Sequence, residues 1–457
     1  MSPSLKKFLS FLGIQLAYIL LVKLTGLNWF YFGTLVITDH FYWNYVNWTF
    51  WKERSPEKEK KEESISNAKD WFNAVSFAVI GATLIHTFVI QPFTIPTSSM
   101  EKSMLVGDYL LVSKLNYGPV VPNTPLSIPF LHNALPLTDN AKSYSDAVQL
   151  GYNRLPGYSE VKNNDIVVFN YPEDKMHKDM PFDKKTHYVK RCLGVAGDEL
   201  EIREKDIYVN GKLQELPERA LPQFSYLITF KKPFNPEKFL QIDVTDVYPY
   251  RKSKDDKAGT KYVIHTTSKK FNSLKKHKDV ASITPMEIDA RQKGVHVFPG
   301  DTDRGWDINN YGPIHIPKAG ETVQLSMDNL AFYRRIISDY EGNKLQVKNT
   351  SIYINDALAT DYTFQMNYYW MMGDNRHNSL DSRFWGFVPE NHIVGKPVLN
   401  WLSIDKNAPF GINKIRWDRM FTFYHGEGKS KSYLVHFLVL IAILKGISLY
   451  RNKKKAA

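Results

Sequence analysis

The sequence predicts a mainly β domain that carries an inserted β-rich subdomain and is anchored to a membrane by transmembrane helices. Three observations support this fold class. Apolar segments of helical length lie near both ends of the 457-residue chain. Short runs of β-branched and aromatic residues occupy the region between them. Few stretches of that region have the periodicity of an amphipathic helix, so the soluble part is predicted to consist mainly of strands.

The strongest membrane signal is the segment 71–100, which contains no Asp, Glu, Lys or Arg. Within it, residues 72–90 are long enough to cross a hydrocarbon layer of roughly 30 Å as a helix. We therefore expect a transmembrane helix within residues 71–92.

Three further segments are candidates for membrane contact. Residues 8–22 and 433–450 are apolar runs, and both are predicted to be anchors. Residues 27–51 are rich in aromatic side chains but carry Asp39 and His40, a composition that suits an interfacial or weakly spanning stretch. With residues 72–90, these segments predict four spans.

The formal net charge of +12 is compatible with either nucleic acid or an anionic membrane as a partner. Basic residues cluster beside the apolar segments, with six in residues 52–69 and four in residues 451–455. Such clusters are typical of cytoplasmic flanks. No zinc-knuckle spacing or Gly-rich phosphate loop supports nucleic acid. The sequence thus predicts a multi-pass protein of the plasma (inner) membrane, whose soluble domain lies on the extracytoplasmic side.

Several short segments of the soluble part carry strand signals. Residues 165–171 form a β-branched and aromatic run. Residues 200–202 and 207–209 flank polar residues, and Asn210-Gly211 then offers a tight hairpin turn. Residues 213–348 contain a Lys-rich stretch with several Pro and Gly breaks and have no chemical motif of their own.

These signals divide the chain into six predicted regions. They are an amino-terminal membrane or interfacial region with a charged cytoplasmic loop (1–70), a transmembrane helix (71–92), a first part of the core (93–212), an inserted subdomain (213–348), a second part of the core (349–425) and a carboxy-terminal transmembrane helix (432–450).

Two candidate nucleophiles, Ser98 and Ser99, lie just beyond the predicted membrane helix and precede Met100. A serine peptidase needs a hydroxyl, a base that accepts its proton, and donors for the oxyanion. None of the 13 histidines lies in a recognisable catalytic setting, so a lysine must be considered as the base. Cys192 is the only cysteine and is predicted to be a small buried apolar residue.

Four separated blocks carry a resemblance to bacterial type I signal peptidases, the Ser/Lys family of peptidase S26. In chain order they are residues 95–100 with 107–109, residues 165–172, residues 188–198, and residues 372–389. The last block is long and highly specific. The resemblance implies a serine endopeptidase that removes signal peptides from exported preproteins, with preprotein signal peptides and the lipid bilayer as partners and without nucleic acid, metal or cofactor.

The resemblance also implies roles for individual residues. Ser99 matches the nucleophile and Lys190 the general base. The supporting residues are Thr97 in the oxyanion hole, Ser379 as a hydrogen-bond partner of the lysine, and the pair Asp381 and Arg383. The residues implied to line shallow pockets for small substrate side chains are Phe93, Ile95, Met104 and Val189.

A lysine can act as a base only when its amine is neutral, whereas a free lysine has a pKa near ~10.4. Burial penalises the ammonium form and lowers the pKa. The apolar neighbours of Lys190, among them Val189 and Leu193, can provide such a setting.

The sequence departs from the family pattern at Lys102 and Ser103, where Pro-Thr is usual. This departure creates a Ser-x-x-Lys motif at residues 99–102, the signature of penicillin-recognising enzymes. Pro96 and the apolar run 106–112 oppose the helix that this motif requires. A second alternative is a non-catalytic, membrane-anchored protein that binds exported chains. The sequence leaves both alternatives open.

Overall fold

The computed structural model describes residues 3–25, 33–43, 67–138, 141–174, 180–235, 238–250, 259–286, 296–300, 304–405, 408, 411–426 and 428–456. The chain forms two compact units, Met1–Leu84 and Ile85–Ala457.

The described residues of the first unit lie mainly in helices. α1 (Pro3–Thr25) contacts α2 (Gly33–Thr38), where the Gln15 amide donates to the Thr34 carbonyl oxygen at 2.9 Å. A π-helical turn, Asp39–Trp43, follows α2 directly. α3 (Asn67–Phe88) contains the part of the described chain, Trp71–Phe88, that is long and apolar enough to cross a membrane, with a mean hydropathy of 1.4.

The helices of the second unit are short except for the last. They are α4 (Lys238–Gln241), α5 (Ser268–Leu274), α6 (Leu330–Arg335), α7 (Ser382–Trp385) and α8 (Leu434–Ala456). The apolar part of α8, Leu434–Tyr450, is shorter than a usual span. The four predicted spans therefore stay a prediction, and much of residues 27–51 lies outside the described residues.

Strands are the predominant regular secondary structure among the described residues of the second unit, which confirms the mainly β fold class. In chain order they are β1 (Ile90–Thr94), β2 (Asp108–Ser113), β3 (Ile166–Asn170), β4 (His187–Gly194), β5 (Glu199–Arg203), β6 (Asp206–Val209), β7 (Lys212–Leu213), β8 (Phe224–Phe230), β9 (Asp246–Pro249), β10 (Lys261–Thr266), β11 (Val280–Pro285), β12 (Tyr311–His315), β13 (Thr322–Gln324), β14 (Leu345–Lys348), β15 (Ser351–Ile354), β16 (Ala357–Leu358), β17 (Asp361–Thr363), β18 (Tyr368–Met372), β19 (Val388–Pro389), β20 (Ile393–Ser403) and β21 (Thr422–Phe423).

The largest sheet has the order β1-β2-β20-β3-β4-β18-β19, and β21 also pairs with β20. All of these pairings are antiparallel. β20 is eleven residues long and pairs with β3 near its start and with β2 over its remaining length. Every residue of β3 and β18 is buried, as expected for strands at the centre of a sheet.

The predicted strands of the soluble part are confirmed. The run 165–171 contains β3, while residues 200–202 and 207–209 lie in β5 and β6. Asn210 and Gly211 have φ angles of 52° and 76° and join β6 to β7 as a two-residue hairpin. Local sequence alone determines this hairpin, because few other residue pairs adopt positive φ at both turn positions.

A separate four-stranded sheet, of order β11-β8-β10-β9, forms between residues 224 and 285. We call residues 224–285 the insertion sheet region. It has a hydrophobic core of its own, built from aromatic and aliphatic side chains of the strands and of the two short helices α4 and α5. Ile228 and Ile264 are fully buried at its centre.

The later part of the predicted insertion packs elsewhere. Tyr311, Ile314 and Ile337 belong to the same hydrophobic core as Leu193 of β4 and Trp370 of β18. The order β12-β5-β6-β7 likewise pairs a strand beyond residue 300 with strands before residue 213. Residues 213–348 are thus distributed over two cores, and the predicted domain boundaries stay predictions.

We expect Ile264→Ala to destabilise the protein by about 2–5 kcal/mol, because the substitution removes buried methyl groups from the core of the insertion sheet region. The thermal unfolding of the full chain in detergent micelles measures this loss. Leu213→Ala, at an exposed position of β7, is the matched control and should leave the unfolding temperature nearly unchanged. Equal unfolding temperatures for the two variants would contradict the assigned core.

Candidate active site

Ser99 lies in a single 3₁₀ turn, Ser98–Met100, which follows β1. The residue Ile95, which lies just before the turn, is held to the start of β2, because its N–H donates to the Asp108 carbonyl oxygen and its own carbonyl oxygen accepts from the Gly107 N–H, both at 2.9 Å. Gly107 has a φ of +89°, and a Cβ there would lie 1.9 Å from a backbone carbonyl oxygen, that of Ile404. Only glycine fits at this position, which explains its place after the serine motif.

Lys190 reaches the same point from β4, where it is paired with Val167 of β3. Its Nζ lies 2.7 Å from Ser99 Oγ, although the two residues are 91 positions apart in the chain. The same nitrogen donates to the Val189 carbonyl oxygen at 3.1 Å. The lysine is 3% exposed, so its amine is shielded from water on most sides.

Burial lowers the pKa of Lys190 to about 8, since the ammonium form loses its hydration. The negative charges of Asp381 and Asp374 oppose this shift and keep the pKa from falling further. With a pKa of about 8, roughly a tenth of the molecules carry a neutral amine at pH 7. The desolvation expected from the sequence is therefore present.

Asp381 and Arg383 form a fully buried ion pair. Arg383 Nε donates to Asp381 Oδ1 at 2.9 Å, and its terminal nitrogen donates to Oδ2 at 2.8 Å. Asp381 Oδ2 also accepts from the Gly373 N–H at 3.1 Å. A Cβ on Gly373 would lie 2.5 Å from the Ser99 carbonyl oxygen and 2.2 Å from Ser379 Oγ. The ion pair thus fixes a backbone segment that closely approaches the serine turn.

Ser379 differs from the expectation. Its side chain is buried beside Gly373, yet its Oγ has no hydrogen-bond partner among the described residues. The hydrogen bond to Lys190 that the resemblance implies is not formed in this structure. A buried hydroxyl without a partner is uncommon in folded proteins.

A cleft of about 770 Å³ opens over Ser99 and Lys190. The predicted pocket residues that line it are Phe93, Ile95 and Val189, and Thr97 lies exposed at the same cleft. Met104 differs from the prediction, because it is fully buried in a core with Ile95 and Met100 and is not among the residues lining the cleft.

The second lysine candidate points elsewhere. Lys102 Nζ lies 2.6 Å from Asp243 Oδ1, in the insertion sheet region. Its neighbour Ser103 donates to Asp374 Oδ2 at 2.6 Å. The two residues that depart from the family pattern therefore tie the serine turn to its surroundings, and the Ser-x-x-Lys motif does not bring its lysine to the hydroxyl.

Sequence reasoning missed a buried ion pair beneath the site. Arg191 Nε and its terminal nitrogen donate to Asp374 at 2.8 and 2.6 Å. Burial alone would raise the pKa of Asp374, but the charge and hydrogen bonds of Arg191 hold it below its usual range. Arg191 directly follows Lys190, and Asp374 directly follows Gly373. Both residues belong to the blocks that carry the resemblance, and this adjacency was the signal that could have identified the pair.

Sequence reasoning also missed three residues beside the serine turn, two of which hydrogen-bond to Ser98. Asn375 and Asn378 lie in the fourth block, whereas Asp246 lies in β9 of the insertion sheet region. Asp246 Oδ2 accepts from the side-chain amides of both asparagines at 2.8 Å. No local pattern marks Asp246, because its contact depends on strands far apart in the chain.

Cys192 is fully buried in β4 as predicted, and burial raises the pKa of its thiol. Within the described part of the chain, no group of three or more His, Cys, Asp or Glu side chains is arranged to hold a metal ion.

A family model described as "Signal peptidase, peptidase S26" matches residues 68–283 and 319–402, which is more than half of the chain. The matched residues include the serine turn, β4 and the segment from Gly373 to Arg383.

The chain is also similar to curated proteins named "Signal peptidase I". The relative from Buchnera aphidicola subsp. Schizaphis graminum is 25% identical over 88% of this chain and 95% of its own length. That from Haemophilus influenzae is 23% identical over 88% of this chain and 90% of its own length. That from Helicobacter pylori strain J99 is 24% identical over 77% and 91%, respectively.

We expect Asp374→Ala to destabilise the protein by about 3–5 kcal/mol, because the substitution leaves the Arg191 guanidinium buried without its counter-charge. Thermal unfolding of the full chain in detergent measures the effect. Asp356→Ala, which removes the partner of Lys344 in an exposed ion pair, is the control and should cost less than about 1 kcal/mol. A loss at Asp374 no larger than that at Asp356 would refute the assigned structural role.

Proposed function

The chain belongs to the signal peptidase family, peptidase S26, and from this premise we propose that it removes signal peptides with Ser99 as the nucleophile and Lys190 as the general base. One observation carries the assignment: the buried Lys190 Nζ lies 2.7 Å from Ser99 Oγ. This distance allows direct proton transfer between the two groups.

In the proposed reaction, the neutral Lys190 amine takes the proton of the Ser99 hydroxyl while Oγ attacks the scissile carbonyl carbon. The tetrahedral intermediate collapses as the peptide C–N bond breaks, and the Lys190 ammonium returns its proton to the leaving amine. Lys190 then takes a proton from water, whose oxygen attacks the acyl-enzyme. The second intermediate releases the carboxyl product, and the proton returns to Ser99 Oγ.

The oxyanion requires hydrogen-bond donors beside Ser99. We assign this role to the Ser99 backbone N–H and the Thr97 hydroxyl, which lies at the same cleft. Phe93, Ile95 and Val189 line the cleft near the predicted substrate position, and their apolar side chains favour small, uncharged substrate residues. Met104 supports this wall from within the core.

We propose that α3 anchors the protein in the membrane, because Trp71–Phe88 has the length and composition of a span. The serine turn follows closely after α3 in the sequence, a placement that suits cleavage of a substrate emerging at the outer membrane surface. The basic residues of segment 52–69, which precedes most of α3, support a cytoplasmic position for this segment. The inner-membrane location and the four-span topology belong to this proposal.

The ion pair of Lys102 with Asp243 disfavours the penicillin-recognising alternative, since that mechanism needs Lys102 at the serine. A purely binding role does not account for a buried lysine within 2.7 Å of a serine hydroxyl. Burying the Lys190 amine in apolar surroundings destabilises the fold, and a binding surface does not require a buried amine.

We predict that Ser99→Ala and Lys190→Ala each abolish preprotein processing, because each removes one partner of the proton transfer. Lys102→Ala should retain processing within about threefold of wild type, since its pairing with the largely exposed Asp243 contributes little. The assay follows cleavage of a purified preprotein by the full-length enzyme in detergent. Thermal unfolding of each variant separates loss of chemistry from loss of fold.

Full processing by a folded Lys190→Ala variant would refute the dyad. Loss of processing in Lys102→Ala, together with activity in Lys190→Ala, would instead support the Ser-x-x-Lys alternative.

The pH dependence provides a second prediction. Lys190 must be neutral to accept a proton, and burial lowers its pKa to about 8. Activity should therefore rise about tenfold per pH unit well below pH 8 and level off above it. The measurement is kcat/KM for preprotein cleavage between pH 5.5 and 9.5, with Lys102→Ala as the control of identical profile. A rate that falls between pH 6 and 8 would contradict the assignment.

A further inference from the structure

The insertion sheet region contacts the serine turn through β9, one of the two edge strands of its sheet. Asp246, the first residue of β9, is 7% exposed and lies among the residues that line the cleft. It lies outside the four blocks that carry the family resemblance. A buried carboxylate beside a nucleophile calls for a physical explanation, because burying a charge without partners is costly.

Two asparagine amides connect Asp246 to the serine turn. Asn375 Nδ2 donates to Asp246 Oδ2 at 2.8 Å and to the Ser98 carbonyl oxygen at 3.1 Å. Asn378 Nδ2 donates to the same carboxylate oxygen at 2.8 Å and to Ser98 Oγ at 3.1 Å. Each amide group thus bridges the insertion sheet region and the residue that precedes Ser99.

The backbone completes the connection. The Asn375 N–H donates to the Ser99 carbonyl oxygen at 3.0 Å, so the same residue contacts both Ser98 and Ser99. An amide nitrogen carries two N–H donors, and here each nitrogen reaches Asp246 and Ser98. Hydrogen bonds to a carboxylate are stronger than those between neutral groups, which fixes the orientation of both side chains.

Two further contacts hold the insertion sheet region against residues that follow Ser99. Thr245, next to Asp246, donates to Glu101 Oε1 at 2.7 Å. Asp243 pairs with Lys102. The serine turn is therefore held on this side at residues 98, 101 and 102, while Lys190 approaches Ser99 from β4.

We propose that Asp246 is a positioning residue, which holds Ser99 in register with Lys190 through Asn375 and Asn378. The inference rests on the proposed function, since it takes Ser99 as the nucleophile. Asp246 does not touch the reacting atoms in this arrangement. It restricts the turn so that Ser99 Oγ stays within proton-transfer distance of the lysine, and small displacements of a nucleophile reduce rate strongly.

The test measures kcat and KM separately for preprotein cleavage by the full-length enzyme in detergent. Asp246→Ala should lower kcat about 10- to 100-fold, the range expected from losing hydrogen bonds to a charged group, and change KM less than about threefold. Asn378→Ala should lower kcat in the same direction. The double variant should be no slower than the slower single variant, because both act through one network.

Two further variants serve as controls. Asp246→Asn keeps an oxygen that accepts from both amides and should restore kcat to within about fivefold of wild type. Asp279→Ala removes an exposed carboxylate next to β11, the opposite edge strand of the same sheet, and should leave kcat within about twofold. If Asp246→Ala does not fold, the comparison of Asp246→Asn, Asn378→Ala and their double variant carries the test.

An unchanged kcat in folded Asp246→Ala would overturn the proposal. So would a double variant whose loss is the product of the two single losses, or a change confined to KM. Ser99→Ala, assayed in parallel, distinguishes the two levels of inference. If Ser99→Ala still cleaves, the proposed function itself fails. If Ser99→Ala is inactive and Asp246→Ala is normal, only the positioning role fails.

Discussion

The structure depends on one unfavourable condition, the burial of the Lys190 amine beside a serine hydroxyl. In water this amine would be protonated and useless as a base, so the protein must remove water from it while keeping Ser99 open to a substrate. The apolar surroundings in β3 and β4 meet the first need, and the cleft above the serine turn meets the second. The negative charges near the lysine limit how far its pKa falls, which keeps proton return to the leaving amine feasible.

Ion pairs and amide hydrogen bonds stabilise this arrangement from several directions. Asp381 with Arg383 and Asp374 with Arg191 fix the segment that passes under Ser99, and both pairs are fully or nearly fully buried. Buried pairs of this kind contribute more to the specificity of a geometry than to net stability. On the opposite side of the serine turn, the insertion sheet region adds hydrogen bonds from two asparagine amides to Asp246.

Sequence reasoning could predict the parts of the protein that local patterns or the family blocks encode. β3 and the Asn210-Gly211 hairpin follow from short-range preferences, and Ser99 and Lys190 follow from the resemblance. Asp246 could not be found, since its role comes from a contact between β9 and a segment 129 residues away. Met104 was assigned to a pocket although its side chain turns into the core, because strand and turn orientation beyond Ser99 is not encoded in the motif.

The position of β20 has a consequence for when the enzyme can first work. Ser99 follows β1, which pairs with β2, and Lys190 lies on β4, which pairs with β3. β20 pairs with both β2 and β3, so it joins the β1–β2 hairpin to the β3–β4 hairpin. Its end bonds β2 across 295 residues of sequence, where Ser403 donates to Asp108 at 2.6 Å. Because a chain is synthesised from its amino terminus, β20 can pair with both hairpins only after residues near 400 have been made. The sheet that frames Ser99 and Lys190 is thus completed only by one of the last strands of the chain.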